Sequence, residues 1–347
     1  MEIIMKKYTV TESFIPENVS LHGLTEGLVR MPAEAADRVS KNVSHLSRCG
    51  AGGRLRFATD SERLRLDVTL ESGNVNCAVD VLCDGRFIGR ILPDVECDPI
   101  FGGELTLGRG GEIKNVTVFI SRTAHTRSLD VSVDDGAGVY PAAPYAIKKP
   151  VVFYGSSITM GAISSSPSKA YTALVAERLC ADHVNLGFGG SALGETAMAE
   201  YIAGLEMSAF VLDYEHNAPT LDHLRGTHKP FFDIIRKAHP TLPILIVSRP
   251  DTDGDFIRAC TGRRIIMDTF HKALDAGDRF VDFVDGFYLW GNEERRTCCA
   301  EDGCHPNDEG FARMADVITP GLRSLLKRSG TFEEEPDGND SRFKIDL

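Results

Sequence analysis

A chain of 347 residues that is 42% hydrophobic and 25% charged has the balance of a soluble globular protein and enough length for two domains with separate cores. A formal net charge of -12 argues against a sequence-independent grip on nucleic acid, which needs clustered Lys and Arg against the phosphates. No stretch of about 18 apolar residues is long enough to span a membrane, and the opening MEIIMKKYTVTESF lacks the apolar run and cleavage site of a signal peptide, so a cytoplasmic protein without membrane contact is expected.

The first 50 residues are poorly patterned apart from one short helix expected over PAEAADRVSKNVSHL. From about Arg54 to Asp135 the apolar residues alternate with polar ones in RLRFATDS, RLRLDVTLE, CAVDVLCDGRFIGRIL, ELTLG, IKNVTVFIS and LDVSVDD. Period two with intervening Gly, Asp and Asn turns predicts an antiparallel β-sandwich. Asp84-Gly85 marks a tight hairpin, because a primed turn needs positive φ. The connector VYPAAPYAIKKP carries three prolines and leaves little flexible chain between the halves.

Beyond it the texture changes to short apolar strands alternating with helices: VVFYG, a helix near 168–182, HVNLG, a helix near 194–206, AFVLDY, a helix near 228–239, PILIVSR, a helix near 263–276, RFVDFVDG, and a final helix near 307–327. That alternation predicts a parallel sheet covered on both faces. The division expected is a sandwich over residues 1–148, an α/β domain over 149–328, and an acidic tail over 329–347 with too little apolar content to pack.

In open α/β sheets, sites form beyond the carboxyl ends of the strands. The loops there read Gly155-Ser156-Ser157-Ile158-Thr159, Gly187-Phe188-Gly189-Gly190-Ser191, Tyr214-Glu215-His216-Asn217 and Asp302-Gly303-Cys304-His305-Pro306. A serine attacks an acyl carbon only when a base takes its proton, a third group orients the base, and donors await the oxyanion. Ser157, His305 and Asp302 fit the first three roles. The i, i+3 spacing lets the carboxylate reach Nδ1 while Nε2 faces the serine. The N–H groups of Ser157 and Gly190 and the amide of Asn217 fit the oxyanion hole, with Gly189 an alternative donor. Each signal alone has a plainer reading: a serine after a strand caps the next helix, glycines make turns, and Asp-x-x-His before proline opens a helix.

Nine cysteines, an odd number without framework spacing, suit reduced thiols. Cys298, Cys299, Cys304 and His305 crowd one loop as zinc ligands do, yet their spacing forms no paired knuckle, and no metal or cofactor is expected.

The order of these loops resembles the SGNH/GDSL hydrolase superfamily. VVFYGSSITMG is similar to its first block, where Gly-Asp-Ser is the commonest form; NLGFGGSA, DYEHN and DGCHP are similar to the Gly, Asn and Asp-x-x-His blocks. The resemblance implies a flavodoxin-like three-layer α/β/α domain with a parallel sheet, and assigns Ser157, Gly190, Asn217, Asp302 and His305 their family roles. Ser156 departs from the usual Asp. The segment MPAEAADRVSKNVSHLSRCGAGGRLRFATDS followed by GAGVYP is similar to the jelly-roll-like sandwich that precedes one bacterial subgroup, whose members look like carbohydrate esterases. A serine esterase removing small acyl groups, acetyl above all, from a small molecule or oligosaccharide is therefore expected. Trp290, on the loop DGFYLWGNEERR, and Arg249, ending PILIVSR, are candidate substrate contacts; packing for Trp290 and an ion pair for Arg249 are the competing readings. An acyltransferase or thioesterase with the same triad, and a binding protein that no longer turns over, are the alternatives.

Overall fold

A computed structural model describes residues 4–74, 76–250, 254–290 and 292–332. The chain begins with strand β1 (Met5–Thr11), the short β2 (Ser20–His22) and two helices, α1 (Ala33–Val39) and α2 (Lys41–Ser47). The single helix expected there is split at Ser40. Its extended backbone ends α1, and its hydroxyl accepts from Val43 N–H to cap α2.

Eight strands follow: β3 (Arg54–Thr59), β4 (Arg63–Leu70), β5 (Val79–Cys83), β6 (Arg86–Ile91), β7 (Ile100–Thr106), β8 (Lys114–Phe119), β9 (Thr126–Asp134) and β10 (Val139–Tyr140). They form two antiparallel sheets, ordered β1-β9-β4-β7 and β10-β3-β8-β5-β6, with β2 pairing β3. Inward residues of both, such as Leu64, Leu66 and Val131 from one and Leu55, Phe57, Val116 and Val118 from the other, share one core, which is the alternation seen in the sequence. The β5–β6 hairpin turns at Asp84 and Gly85, at φ 47° and 77°, as a primed turn requires.

The second half contains β11 (Ile147–Gly155), α3 (Ser157–Met160), α4 (Tyr171–Arg178), β12 (Ala181–Gly187), α5 (Thr196–Ala203), β13 (Ala209–Asp213), α6 (Leu221–Ala238), β14 (Ile244–Val247), α7 (Phe256–Asp275), β15 (Val281–Val284), α8 (Asn292–Cys298) and α9 (Asp308–Arg328). Its five strands are parallel and ordered β12-β11-β13-β14-β15, the flavodoxin order. One face packs on α5, α6 and α7, the other on α4 and α9. In α9, Phe311, Met314, Ala315, Ile318, Leu322, Leu325 and Leu326 make the apolar stripe of a half-buried helix, and all are fully buried. Each large side chain among them contributes about 1.5–3 kcal/mol of burial. Among the described residues no helix is long and apolar enough to cross a membrane, and residues 333–347 of the acidic tail lie outside them.

The cores do not divide at residue 148. Met31, Ala36 and Val43, which lie between β2 and β3 in sequence, are buried in the α/β core beside Ile202 and Tyr214. The reason is visible at β12, an edge strand whose outward carbonyls need donors. Those of His183, Asn185 and Gly187 recur every second residue, and all are taken by arginines of the N-terminal half. Arg54 donates to His183 O at 3.2 Å, and Arg30 donates to Asn185 O and Gly187 O at 3.2 and 2.5 Å.

Arg54 also pairs with Asp182, which His22 Nδ1 meets at 2.8 Å. Burial pushes the Asp182 carboxyl upward, but the bond from His22 and the Arg54 charge outweigh it and bring it down to about 2. A depressed carboxyl stabilises the fold above its unfolded pKa of about 3.9 and loses that contribution as pH falls through the native value. Asp182→Asn is therefore expected to lower the unfolding free energy by about 3 kcal/mol at pH 7, since it strands a buried guanidinium. The deficit should shrink as the pH approaches 2. Denaturant midpoints at several pH values measure it; an equal deficit throughout would assign the effect to packing.

Candidate active site

Strand order reverses between β12 and β13, so the crevice lies at the carboxyl end of β11. Gly155 closes that strand where nothing larger fits: a Cβ there would stand 2.1 Å from Asp213 O. Ser156 then caps α3, its hydroxyl accepting from Ile158 N–H at 3.2 Å. The adjacent serines thus divide two jobs. Ser156 satisfies the helix, and Ser157 is left at the first helical position with its N–H outside the intrahelical ladder.

Ser157 Oγ lies 2.7 Å from His305 Nε2, and His305 Nδ1 lies 2.6 Å from Asp302 Oδ2. Asp302 Oδ1 accepts from the N–H groups of Cys304 and His305, both at 2.9 Å, so one carboxylate shapes the loop and orients the imidazole. Burial pushes the Asp302 carboxyl upward, but those two N–H groups and the imidazole prevail and hold it below the usual carboxylate range. Helix capping in this loop falls to Asn307, which accepts from Gly310 N–H at 3.0 Å. The loop is also fastened by Ala300 N–H to His305 O at 2.8 Å and by Arg295, which donates to Gly303 O.

The Gly loop lies against the nucleophile. A Cβ on Gly189 would stand 3.4 Å from Ser157 Cβ, which sets the Gly189–Gly190 peptide beside the serine. Gly190 holds φ 68°, a left-handed backbone that favours glycine. Asn217, on a 3-10 turn after β13, donates from Nδ2 to Phe188 O at 2.9 Å, which leaves its second amide hydrogen for another acceptor. Ser157, Gly190, Asn217, Asp302 and His305 are thereby brought to one crevice from four loops.

The two substrate-contact candidates fare differently. Arg249 stands half-buried at the carboxyl end of β14, its N–H donating to Glu215 Oε2 at 2.9 Å. Trp290 is 1% exposed in the core between the sheet and α9, so no sugar ring reaches its face. The aromatic surface of that loop is instead Tyr288, 73% exposed, with Phe287 against it edge to face at 5.6 Å. Phe287 and Tyr288 on the 3-10 turn Gly286–Tyr288 both face out while Leu289 and Trp290 turn into the core, and the residue types alone do not show it. Among the described residues all nine cysteines are free thiols, and no group of three or more His, Cys, Asp or Glu is arranged to hold a metal ion.

Beneath the nucleophile lies a group that motif reading does not reach. Asp213 ends β13 fully buried, accepting from Tyr171 Oη at 2.9 Å and Thr159 Oγ1 at 3.1 Å. Burial pushes its carboxyl up to about 7 against those two bonds.

Residues 148–323 match the GDSL-like Lipase/Acylhydrolase family, and residues 8–78 match the N-terminus of Esterase_SGNH_hydro-type proteins. No curated protein sequence matches the chain. Among solved structures, a putative GDSL-like lipase from Bacteroides ovatus superposes with a TM-score of 0.80 at 22% identity, covering 93% of this chain and 98% of its own. The salicylyl-acyltransferase SsfX3 from a tetracycline biosynthetic pathway gives 0.74 at 20% identity, covering 93% and 98%. An acetyl xylan esterase, Est2A, from the rumen bacterium Butyrivibrio proteoclasticus gives 0.61 at 16% identity, covering 95% and 100%. These likenesses extend over the sandwich as well as the α/β half, and the chain belongs to the GDSL-like lipase/acylhydrolase family of serine hydrolases.

Proposed function

We propose that the protein is an esterase that removes short acyl groups, acetyl above all, from a carbohydrate or similar polyol, through an acyl-enzyme on Ser157. The observation that carries this reading is the unbroken relay Ser157 Oγ–His305 Nε2 and His305 Nδ1–Asp302 Oδ2, at 2.7 and 2.6 Å, in the strand-reversal crevice. His305 takes the Ser157 proton as Oγ attacks the acyl carbon. The resulting oxyanion is met by the N–H groups of Ser157 and Gly190 and the free amide hydrogen of Asn217. Collapse expels the alcohol, which recovers the proton from His305. Water then repeats the sequence on the acyl-enzyme, and a second alcohol in its place makes the same intermediate an acyl donor.

The carbohydrate side of the proposal draws on the acetyl xylan esterase likeness and on the exposed Tyr288, a ring face of the kind on which sugars stack. The test is a series of p-nitrophenyl esters from acetyl to octanoyl, together with acetate release from acetylated xylo-oligosaccharides. An apolar acyl channel gains about 0.8 kcal/mol per methylene, so kcat/KM would climb along the series. The expected profile is highest at acetyl and falls beyond it; a rising profile overturns the short-acyl reading.

A further inference from the structure

We infer that Arg30 is a positioning residue for the oxyanion hole, fixing the end of β12 from which both the Gly190 N–H and the anchor of Asn217 are hung. The inference rests on the acyl transfer proposed at Ser157.

Arg30 is 1% exposed and makes no ion pair with a carboxylate among the described residues. Its guanidinium donates to four main-chain carbonyls: Cys49 at 2.9 Å, Leu46 at 2.5 Å, Asn185 at 3.2 Å and Gly187 at 2.5 Å. The first two belong to the end of α2 and the turn after it, the others to the outer edge of β12. The guanidinium also lies over the Phe188 ring, 4.5 Å from its centroid. Burial pulls its pKa down to about 10, which leaves it charged at neutral pH. A buried cation balanced only by carbonyl dipoles and a ring face is costly, and a neutral side chain would fill the same space more cheaply.

What the cation secures is a turning point. Gly155 and Gly187 are the last paired residues of β11 and β12, and beyond them the chain leaves the sheet as Phe188-Gly189-Gly190. Phe188 N–H still bonds Gly155 O at 2.9 Å, while Phe188 O accepts the Asn217 amide at 2.9 Å. Arg30 grips the residue before Phe188 by its carbonyl and Phe188 itself by its ring. A planar fork with donors in fixed directions suits that double grip, and an ammonium does not reproduce it. Two of the three oxyanion donors therefore inherit their position from a residue of the N-terminal half. Misplacing such donors by about 1 Å costs on the order of 10²-fold in rate without touching the substrate.

The experiment uses the full chain with p-nitrophenyl acetate and the variants Arg30→Met, Arg30→Lys, Asn217→Ala and Arg30→Met/Asn217→Ala, each checked for a cooperative melt. Expected is a kcat lower by about 10- to 100-fold in Arg30→Met with KM within about twofold of native, and partial recovery in Arg30→Lys. Asn217→Ala should cost about 10²- to 10³-fold in the native background, and far less where Arg30 is already gone. A folded Arg30→Met with native kcat overturns the inference, and so does an Asn217→Ala loss of equal size in both backgrounds. If Arg30→Met does not fold, Phe188→Leu supports the same cycle, since it removes the ring but keeps the carbonyl that Asn217 uses. Ser157→Ala separates the two levels: residual full activity there overturns the proposed function, whereas an inactive Ser157→Ala beside a native-like Arg30→Met overturns the positioning role alone.

Discussion

Replacing Ser157 with alanine is expected to lower kcat for p-nitrophenyl acetate by about three to six powers of ten, leaving only what binding and the oxyanion donors supply. The serine sits 2.7 Å from its base, at the start of a helix fixed by Ser156 and by close contact with Gly187. Ser156 is not placed to replace it, because its hydroxyl is buried and accepts from Ile158 N–H. A fluorophosphonate probe should label Ser157, and peptide mapping of the adduct decides between the two serines. Label on Ser156, or a Ser157→Ala protein of undiminished activity, removes the assignment. KM is the less informative parameter here, since the hydroxyl contributes little to ground-state binding.

Asp302→Asn should lower kcat by about 10⁴-fold while the loop keeps its shape. The geometry separates these effects. Oδ1 holds the loop through Cys304 and His305 N–H, a task an amide oxygen performs equally well. Oδ2 faces His305 Nδ1, where an amide nitrogen presents hydrogens to a ring nitrogen that should be donating, so the imidazole is left in the wrong tautomer and its cation unbalanced. Because the Asp302 carboxyl is held below the usual carboxylate range, it stays ionised near neutral pH. Its protonation therefore contributes nothing to the acid limb of a rate profile near neutrality. Steady-state rates on folded protein, with thermal melts as control, measure the change; a loss under tenfold would make Asp302 a loop-shaping residue only.

Much of this molecule was legible in its sequence for identifiable reasons. Period two in RLRLDVTLE and the apolar runs VVFY and AFVLD report burial on one face and on two, so both sheets could be read directly. Positive φ at Asp84 and Gly85 follows from residue type. The candidate site residues could be named because acyl transfer needs particular functional groups, and those groups fall on successive loops at one sheet edge. Packing choices between like residues were not readable. Trp290 and Tyr288 are two positions apart on the same loop, yet one is core and the other open. Arg30, in the poorly patterned LVRMP, shows no periodicity, since its partners are backbone carbonyls, two of them more than 150 positions away in the chain. A main-chain acceptor leaves no trace in residue identity. Asp213 was hidden for another reason, as the hydroxyls that meet it, from Tyr171 and Thr159, lie on separate elements.

The burial of Met31, Ala36 and Val43 in the α/β core, from a segment between the sandwich strands β2 and β3, has a consequence for synthesis. Those residues leave the ribosome early, but the side chains that cover them, including Ile202, Tyr214 and Ile235, follow roughly 160–200 positions later. At about 5–20 residues per second, the leading segment waits on the order of 10–40 s with its apolar side uncovered. During that interval the intervening strands can close on themselves, since their pairings are complete once β10 has emerged, apart from the leading β1 and β2 that are already present. The nascent chain thus passes through a stage with a finished sandwich flanked by an unsatisfied leader, which is the stage most exposed to chaperones and proteases.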